Sequence, residues 1–308
     1  MHVLITGGAG YLGSALLPAL QQCLPSGSRI TVLDNLSRRG YQVFFDAAAA
    51  HPYPLDFRHE DLLNSRVLQE VVAHADIVYH LAARVHTPFA HEDPHGYAQV
   101  NHWGSAELSY ALEESPVRHL IYLSSASVYG ATQTPATPDT PARPETHYGI
   151  TKLQGEEMLF RLKDRMQVSV VRAGNLFGYA PSMRVDAVVN KWMFEAIHRN
   201  KIQLEGGGDQ LRSFVEVNRS ARLLAALAAY TAPSAIYNLV DYVLSMKALS
   251  RHFEALFPGL EVIQTDQDVG MRSLTVAPSQ VWSSLDGSPP PLPEALSDFR
   301  RAWQWPRK

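Results

Sequence analysis

Tyr148 and Lys152 stand four residues apart, the spacing that places two side chains on one face of a helix. A phenol is a poor base near neutrality because its ordinary pKa is about 10. A neighbouring ammonium favours the charged phenolate and draws that value down. Such a pair can exchange a proton with an alcohol as a general acid and base. Tyr-x-x-x-Lys taken alone also fits two surface residues of an ordinary helix, so its weight depends on partners elsewhere in the chain. Ser124 and Ser125 directly follow the apolar run His119-Leu-Ile-Tyr-Leu123 and on their own read as small residues closing a strand.

Gly7, Gly10 and Gly13 follow the β-like run Val3-Leu4-Ile5 and open a helical stretch. Between strand and helix, Gly-x-x-Gly-x-x-Gly permits a tight turn, backbone approach to a phosphate and close packing of helix on strand. The helix start offers N–H groups and a positive dipole end to an anion. Pro18 removes a hydrogen bond from that helix and predicts a kink. A second β run, Arg29-Ile-Thr-Val-Leu-Asp34, ends on an acid. That acid can accept both ribose hydroxyls of an adenosine and would repel a 2′-phosphate, which favours NAD over NADP. Asp34 also reads as a turn or cap residue ahead of Asn35, and Arg38 and Arg39 are near enough in sequence to serve a phosphate. Asp61 can cap the helix predicted over 65–73 and can lie against adenine, two roles that are compatible.

Farther on the pattern alternates: a strand over 76–83, a helix over 96–114 carrying Asn101, a strand over 119–123, a helix over 148–164 and a strand over 167–172. This predicts an α/β fold, a doubly wound parallel sheet of Rossmann type with a smaller mixed α/β C-terminal lobe. The NAD-binding domain is expected over 1–172 with 214–235 returning to it, and a substrate lobe over 173–213 and 236–308. Residues 132–145, rich in Pro and Thr, read as a surface loop, and 288–293 as an extended connector. A chain of 308 residues with 46% apolar and 19% charged residues is globular in balance. A net charge of −3 without a long basic run predicts no nucleic-acid partner. The single cysteine, Cys23, cannot form an internal disulfide; it points to a reducing cytoplasm and reads as a packing residue. No stretch approaches the ~20 apolar residues of a membrane span, and the chain opens on a strand rather than a basic leader. His91 and His95 flank Glu92 and Asp93, but Pro94 disfavours the helix that would align them, so no metal is expected.

Taken together, Gly7, Gly10 and Gly13, Asp34-Asn35-Leu36, His80-Leu81-Ala82-Ala83, Asn101, Ser124-Ser125-Ala-Ser-Val-Tyr-Gly130 and Tyr148-x-x-x-Lys152 resemble the extended short-chain dehydrogenase/reductase family. The likeness is greatest to its nucleotide-sugar 4-epimerases; it covers nearly the whole chain and is densest before residue 180. It implies that Ser125 hydrogen-bonds the substrate hydroxyl, Tyr148 takes or returns its proton and Lys152 holds the nicotinamide ribose. Asn101 would support this geometry, and Tyr11, Leu12, Asp34, Asn35, Leu36, Asp61, Leu62, Leu81, Ala82, Ala83 and Ser124 would line the NAD channel. In the second half, Asn175 of Asn175-Leu-Phe-Gly178 would bond a nucleotide-sugar and Arg212 would grip its diphosphate, a task that suits a planar guanidinium. Arg272 is implied as a second clamp and Asn190 as a further contact, although each also reads as an ordinary surface residue.

Some positions depart from the family pattern. Ser213 stands where an acid is common, and Arg219 where an aspartate is. Ser125 is followed by Ala126 and Ser127, whereas sugar 4,6-dehydratases place Asp-Glu after their hydroxyl residue, which argues against a dehydratase. The implied activity is NAD-dependent epimerisation of a nucleotide-sugar through transient oxidation of a hydroxyl and return of hydride. The alternatives are a net reductase or dehydrogenase and, from another class, a non-catalytic NAD-binding regulator. Pairing through the helices near 96–114 and 148–164 would give a homodimer, by analogy of fold.

Overall fold

The first strand, His2–Thr6, is buried from Val3 onward on both faces, as a central strand of a parallel sheet must be. The computed structural model describes residues 1–41, 54–85, 93–265 and 273–303. His91, Glu92 and Arg272 lie outside the described residues, so neither the metal reading nor the second clamp is placed. In chain order the strands are β1 (His2–Thr6), β2 (Arg29–Asp34), β3 (Leu55–His59), β4 (Ile77–His80), β5 (His119–Ser125), β6 (Gln167–Ala173), β7 (Asn175–Phe177), β8 (Lys201–Glu205), β9 (Leu211–Glu216), β10 (Ala235–Leu239), β11 (Tyr242–Ser245) and β12 (Glu261–Thr265).

Seven of them form one sheet in the order β10-β6-β5-β4-β1-β2-β3, every pairing parallel. The chain winds outward from β1 to β3, returns to β4 on the other side of β1, and winds outward again. The strand order therefore reverses between β1 and β4, the crevice where ligands bind in open α/β sheets. Alternation along each strand sends side chains to opposite faces. Val3, Ile5, Tyr79, Ile121 and Val171 pack with the helices Tyr11–Cys23 and Val217–Leu227. Leu4, Val78, Leu120, Tyr122 and Val170 pack on the other face with Ser65–Val72, Gly104–Glu113 and His147–Phe160. A separate core around Phe177, Trp192, Phe214, Phe253 and Phe299 lies among the small sheets β11-β9-β7 and β12-β8.

Several expectations are corrected. Ile236–Leu239, read as part of the substrate lobe, lies in β10 and extends the large sheet beside β6. Phe214 and Val215, read as returning to the first domain, lie in β9 of a small sheet; the return begins with the helix Val217–Leu227. The tail is shared, because Trp282 joins the large-sheet core and donates to the Asn238 carbonyl at 2.6 Å. The helix Tyr11–Cys23 continues through Pro18, and Cys23 is exposed rather than packed. The predicted helix over 96–114 is an α-turn (Pro94–Tyr97), a π-helix (Ala98–Trp103) and an α-helix (Gly104–Glu113) in succession.

Both departures from the family pattern have structural work. Arg219 is buried, with Nε 3.0 Å from Asp241 and a terminal nitrogen 2.9 Å from Asp286, tying its helix to the tail. The Ser213 hydroxyl accepts the Val276 N–H at 3.0 Å and fixes the incoming C-terminal segment. Among the described residues no helix is long and apolar enough to cross a membrane.

Candidate active site

The helix His147–Phe160 is capped by Thr146, whose hydroxyl accepts the Gly149 N–H at 3.1 Å. The cap sets the helical phase and with it the face that carries Tyr148 and Lys152, both buried against the sheet. Ser125, at the carboxyl end of β5, accepts from the Ser127 hydroxyl at 3.0 Å and the Ser127 N–H at 3.2 Å. The Tyr148 phenol hydrogen-bonds Ser125 and meets the Tyr97 ring edge-on with centroids 6.3 Å apart. Ser125 and Tyr148 thus meet at the carboxyl edge of the sheet, with Lys152 one turn farther along the same helix.

One expectation about this pair is overturned. Burial raises the Tyr148 pKa above its ordinary value, while the Ser125 hydrogen bond and the charge of Arg184 oppose that rise. Lys152 does not supply the opposing charge. Its ammonium lies 4.1 Å from the centroid of the Tyr122 ring, and burial lowers its own pKa to about 7, with Glu156 resisting the shift. The lysine's placement inside the protein therefore weakens the very charge expected to make the phenol acidic. His80 beside it stays neutral, its pKa brought down to about 3 by burial and by Lys152; it bonds Thr6 and Ser105 instead.

The residues at the crevice fit a dinucleotide. Gly7 has φ of 72°, and a Cβ there would fall 2.5 Å from the Ala82 nitrogen, so the turn seats directly on the chain leaving β4. A Cβ on Gly13 would fall 2.5 Å from the Gly8 carbonyl oxygen. The helix that follows starts with no side-chain cap and no acid in its first turn, which suits a pyrophosphate. Asp34 accepts the Ala9 N–H at 3.0 Å and the Leu36 N–H at 2.8 Å, one on each oxygen; each oxygen keeps acceptor capacity for a ribose hydroxyl. Arg38 is turned elsewhere, donating to the Val85 carbonyl at 3.4 Å and standing 3.8 Å from Asp186. Asp61 takes the Asn35 amide at 2.8 Å and does not cap the next helix, a task that falls to Asn64. Leu12 and Leu62 are buried near this turn and its neighbouring helix, and Leu81, Ala82 and Ala83 are partly open.

Asn190, Tyr11, Asn101 and Ser124, read as ligand contacts, are committed to the fold. Asn190 is fully buried; its oxygen accepts the Gly178 N–H at 3.0 Å and its amide donates to the Tyr11 hydroxyl at 3.0 Å and the Arg184 carbonyl at 2.8 Å. The Tyr11 hydroxyl donates in turn to the Gly178 carbonyl, so glycine-rich turn and lobe are fastened together. Asn101 spends its side chain on the Arg84 N–H (2.8 Å), the Arg84 carbonyl (3.1 Å) and the Thr151 hydroxyl (3.2 Å), tying the chain after β4 to the helix His147–Phe160. The Ser124 hydroxyl donates to Glu156. Asn175 is exposed on β7 and donates to the Ser213 carbonyl at 3.0 Å. Arg212 lies on adjacent β9 with its pKa lowered by burial.

Arg184 was not legible as a site residue. It lies between β7 and the helix Val188–Arg199, in a stretch with no periodicity, and is ion-paired with Asp186 at 2.5 Å. Its charge reaches Tyr148 as well as Tyr11. The one signal was a base followed two residues on by an acid.

Residues 3–239 match the model of the NAD dependent epimerase/dehydratase family. Over 191 residues the chain is 35% identical to the UDP-glucose 4-epimerase of Bacillus subtilis (strain 168), covering 60% of this chain and 56% of that one. The match thus spans little more than half the length of that relative. Among solved structures, TunA, an NAD-dependent NDP-hexosamine 5,6-dehydratase involved in tunicamycin biosynthesis, superposes with a TM-score of 0.82 at 27% identity over 100% of this chain and 99% of its own. MoeE5 in complex with UDP-glucuronic acid and NAD does so with a TM-score of 0.82 at 25% identity over 98% of each chain.

The buried lysine makes a signed prediction. Its pKa is about 7 in the folded protein against about 10.4 unfolded, so between those values the unfolded chain binds more protons and stability rises with pH. The cost of burying the charge is full below pH ~7 and fades toward ~10. Lys152→Met should therefore stabilise the protein most below neutrality, with the gain shrinking by pH 9, as read from urea midpoints of both proteins.

Proposed function

The chain belongs to the NAD-dependent epimerase/dehydratase family, and on that footing we propose that it is a nucleotide-sugar epimerase in which Tyr148 moves the proton. NAD is the cofactor, and when bound it supplies reversible oxidation of the sugar carbon. The observation that carries this reading is the hydrogen bond between Ser125, at the carboxyl end of β5, and buried Tyr148, with buried Lys152 one turn on along the same helix, beside a crevice whose residues fit a dinucleotide.

Ser125 orients the sugar hydroxyl and Tyr148 accepts its proton through the hydrogen bond the two share. When the sugar carbon is reduced on its other face, the same phenol returns the proton. Lys152 holds the nicotinamide ribose and Asp34 the adenosine ribose. Asn175 and Arg212, on neighbouring strands of the small sheet, face the nucleotide end of the substrate, and Arg184 adds positive charge near the phenol. The substrate lobe is built from 173–216 and from 242 onward, less the segment 273–287 that rejoins the large sheet. Epimerisation rather than dehydration is supported at the positions after Ser125: Ala126 is buried and Ser127 bonds Ser125, so neither supplies an acid for loss of water.

The chain pairs with a second copy through the helices around Trp103, Tyr110 and Ile150, where these large apolar side chains are exposed, Trp103 by 58%. Sedimentation at micromolar concentration should give twice the chain mass; a monomer would exclude this pairing.

Turnover is tested by incubating the NAD-loaded protein with a panel of UDP-, dTDP-, GDP- and CDP-sugars. An epimerase gives a product of unchanged mass and no net reduced cofactor. A product lighter by one water would mean dehydration, and accumulated reduced cofactor would mean a dehydrogenase. Tyr148→Phe should lower the rate about a thousandfold while NAD binding, followed by fluorescence, persists. A Phe variant with normal turnover would remove Tyr148 from the chemistry.

A further inference from the structure

Glu156 is a buried anion to which the proposed function assigns no role. It lies one turn beyond Lys152 on the helix His147–Phe160, on the same face, and only 3% of its surface is exposed against 2% for Lys152. Arg172 on β6 grips the carboxylate, with Nε 3.0 Å from Oε1 and a terminal nitrogen 2.6 Å from Oε2. Ser124, near the end of β5, donates its hydroxyl to Oε1. The guanidinium lies 4.7 Å from the centroid of the Tyr129 ring, and the Tyr129 hydroxyl donates to Asn238 on β10 at 2.7 Å. Side chains from β5, β6 and β10, together with the turn Ala126–Tyr129, thus fix where the negative charge sits.

A buried Arg–Glu pair is weak evidence of stabilisation, since well-packed apolar residues often do as well. The pair's neighbour suggests another use. The groups placed against Lys152 offer it little charge: the Tyr122 ring from β5 and His80 from β4, which is neutral. Glu156 is the anion that acts on it. Without that carboxylate the interior would hold two cations, Arg172 and Lys152, and no anion between them. A guanidinium does not give up its proton in proteins, so the ammonium would.

We propose that Glu156, held in place by Arg172 and Ser124, is a positioning residue that keeps Lys152 in its charged form. The catalytic consequence rests on the reading of Lys152 as part of the acid–base site, whereas the charge itself can be measured without it.

The chain has six lysines, so protein labelled with [13Cε]lysine gives few resonances and a Lys152→Met sample assigns the one in question. Titration of the purified protein should place the wild-type midpoint near 7. Glu156→Gln should move it down by about one unit or more, and Glu156→Asp should restore part of the shift. The alkaline limb of the kcat profile should move in the same direction. Should Glu156→Gln not fold, the double variant Glu156→Leu with Arg172→Met removes both charges while keeping apolar volume, and Lys152 should still titrate below the wild type. An unchanged midpoint overturns the proposal even if the rate falls, leaving Glu156 a packing role. A shifted midpoint with an unmoved rate profile keeps the hold on charge and removes its catalytic consequence, which separates failure here from failure of the Lys152 assignment.

Discussion

An ammonium inside the protein is the constraint on which the rest of the site depends. Desolvation opposes the charge of Lys152 strongly enough to bring its pKa to about 7. Polar and aromatic side chains around it are accordingly committed with little freedom: Tyr122 beneath the ammonium, His80 kept neutral on Thr6 and Ser105, and Glu156 locked by two partners. The same burial raises Tyr148, so the two groups, which titrate close together in water, are driven apart, the interior favouring the neutral form of each.

Close backbone approaches and buried hydrogen bonds join the crevice to the helix that carries this charge. Gly7 rests on Ala82 at the reversal of strand order. Asn101, in the π-helical turn, joins the chain leaving β4 to Thr151 on the helix His147–Phe160, one residue before Lys152. Tyr11, Gly178 and Asn190 fasten the glycine-rich turn to the substrate lobe. Buried hydrogen bonds thus fix the glycine-rich turn against the segment that carries Gly178 and Asn190.

Much of the large sheet was legible because β1, β2, β5 and β6 are apolar runs with breakers between them, and the glycine spacing announced its turn. β3 was not, since Leu55-Asp-Phe-Arg-His59 follows Pro54 and is half open at the sheet edge, with alternation too weak to mark it. β7 and β11 are only three and four residues long, and β10 reaches its place beside β6 through a connection no local pattern records. Polar residues were harder still. Asn190, Asn101 and Ser124 have side chains suited to ligands, yet each is consumed by partners far away in sequence. The effect of Lys152 on Tyr148 was misread because spacing along a helix gives proximity and says nothing of desolvation, which here outweighs it.

The most direct measurement is a crystal structure of the protein with NAD bound. The acid–base roles require Lys152 Nζ within hydrogen-bond reach of the nicotinamide ribose hydroxyls and the Tyr148 hydroxyl turned toward the nicotinamide ring. A dinucleotide seated elsewhere, or one whose ring both side chains face away from, would contradict them.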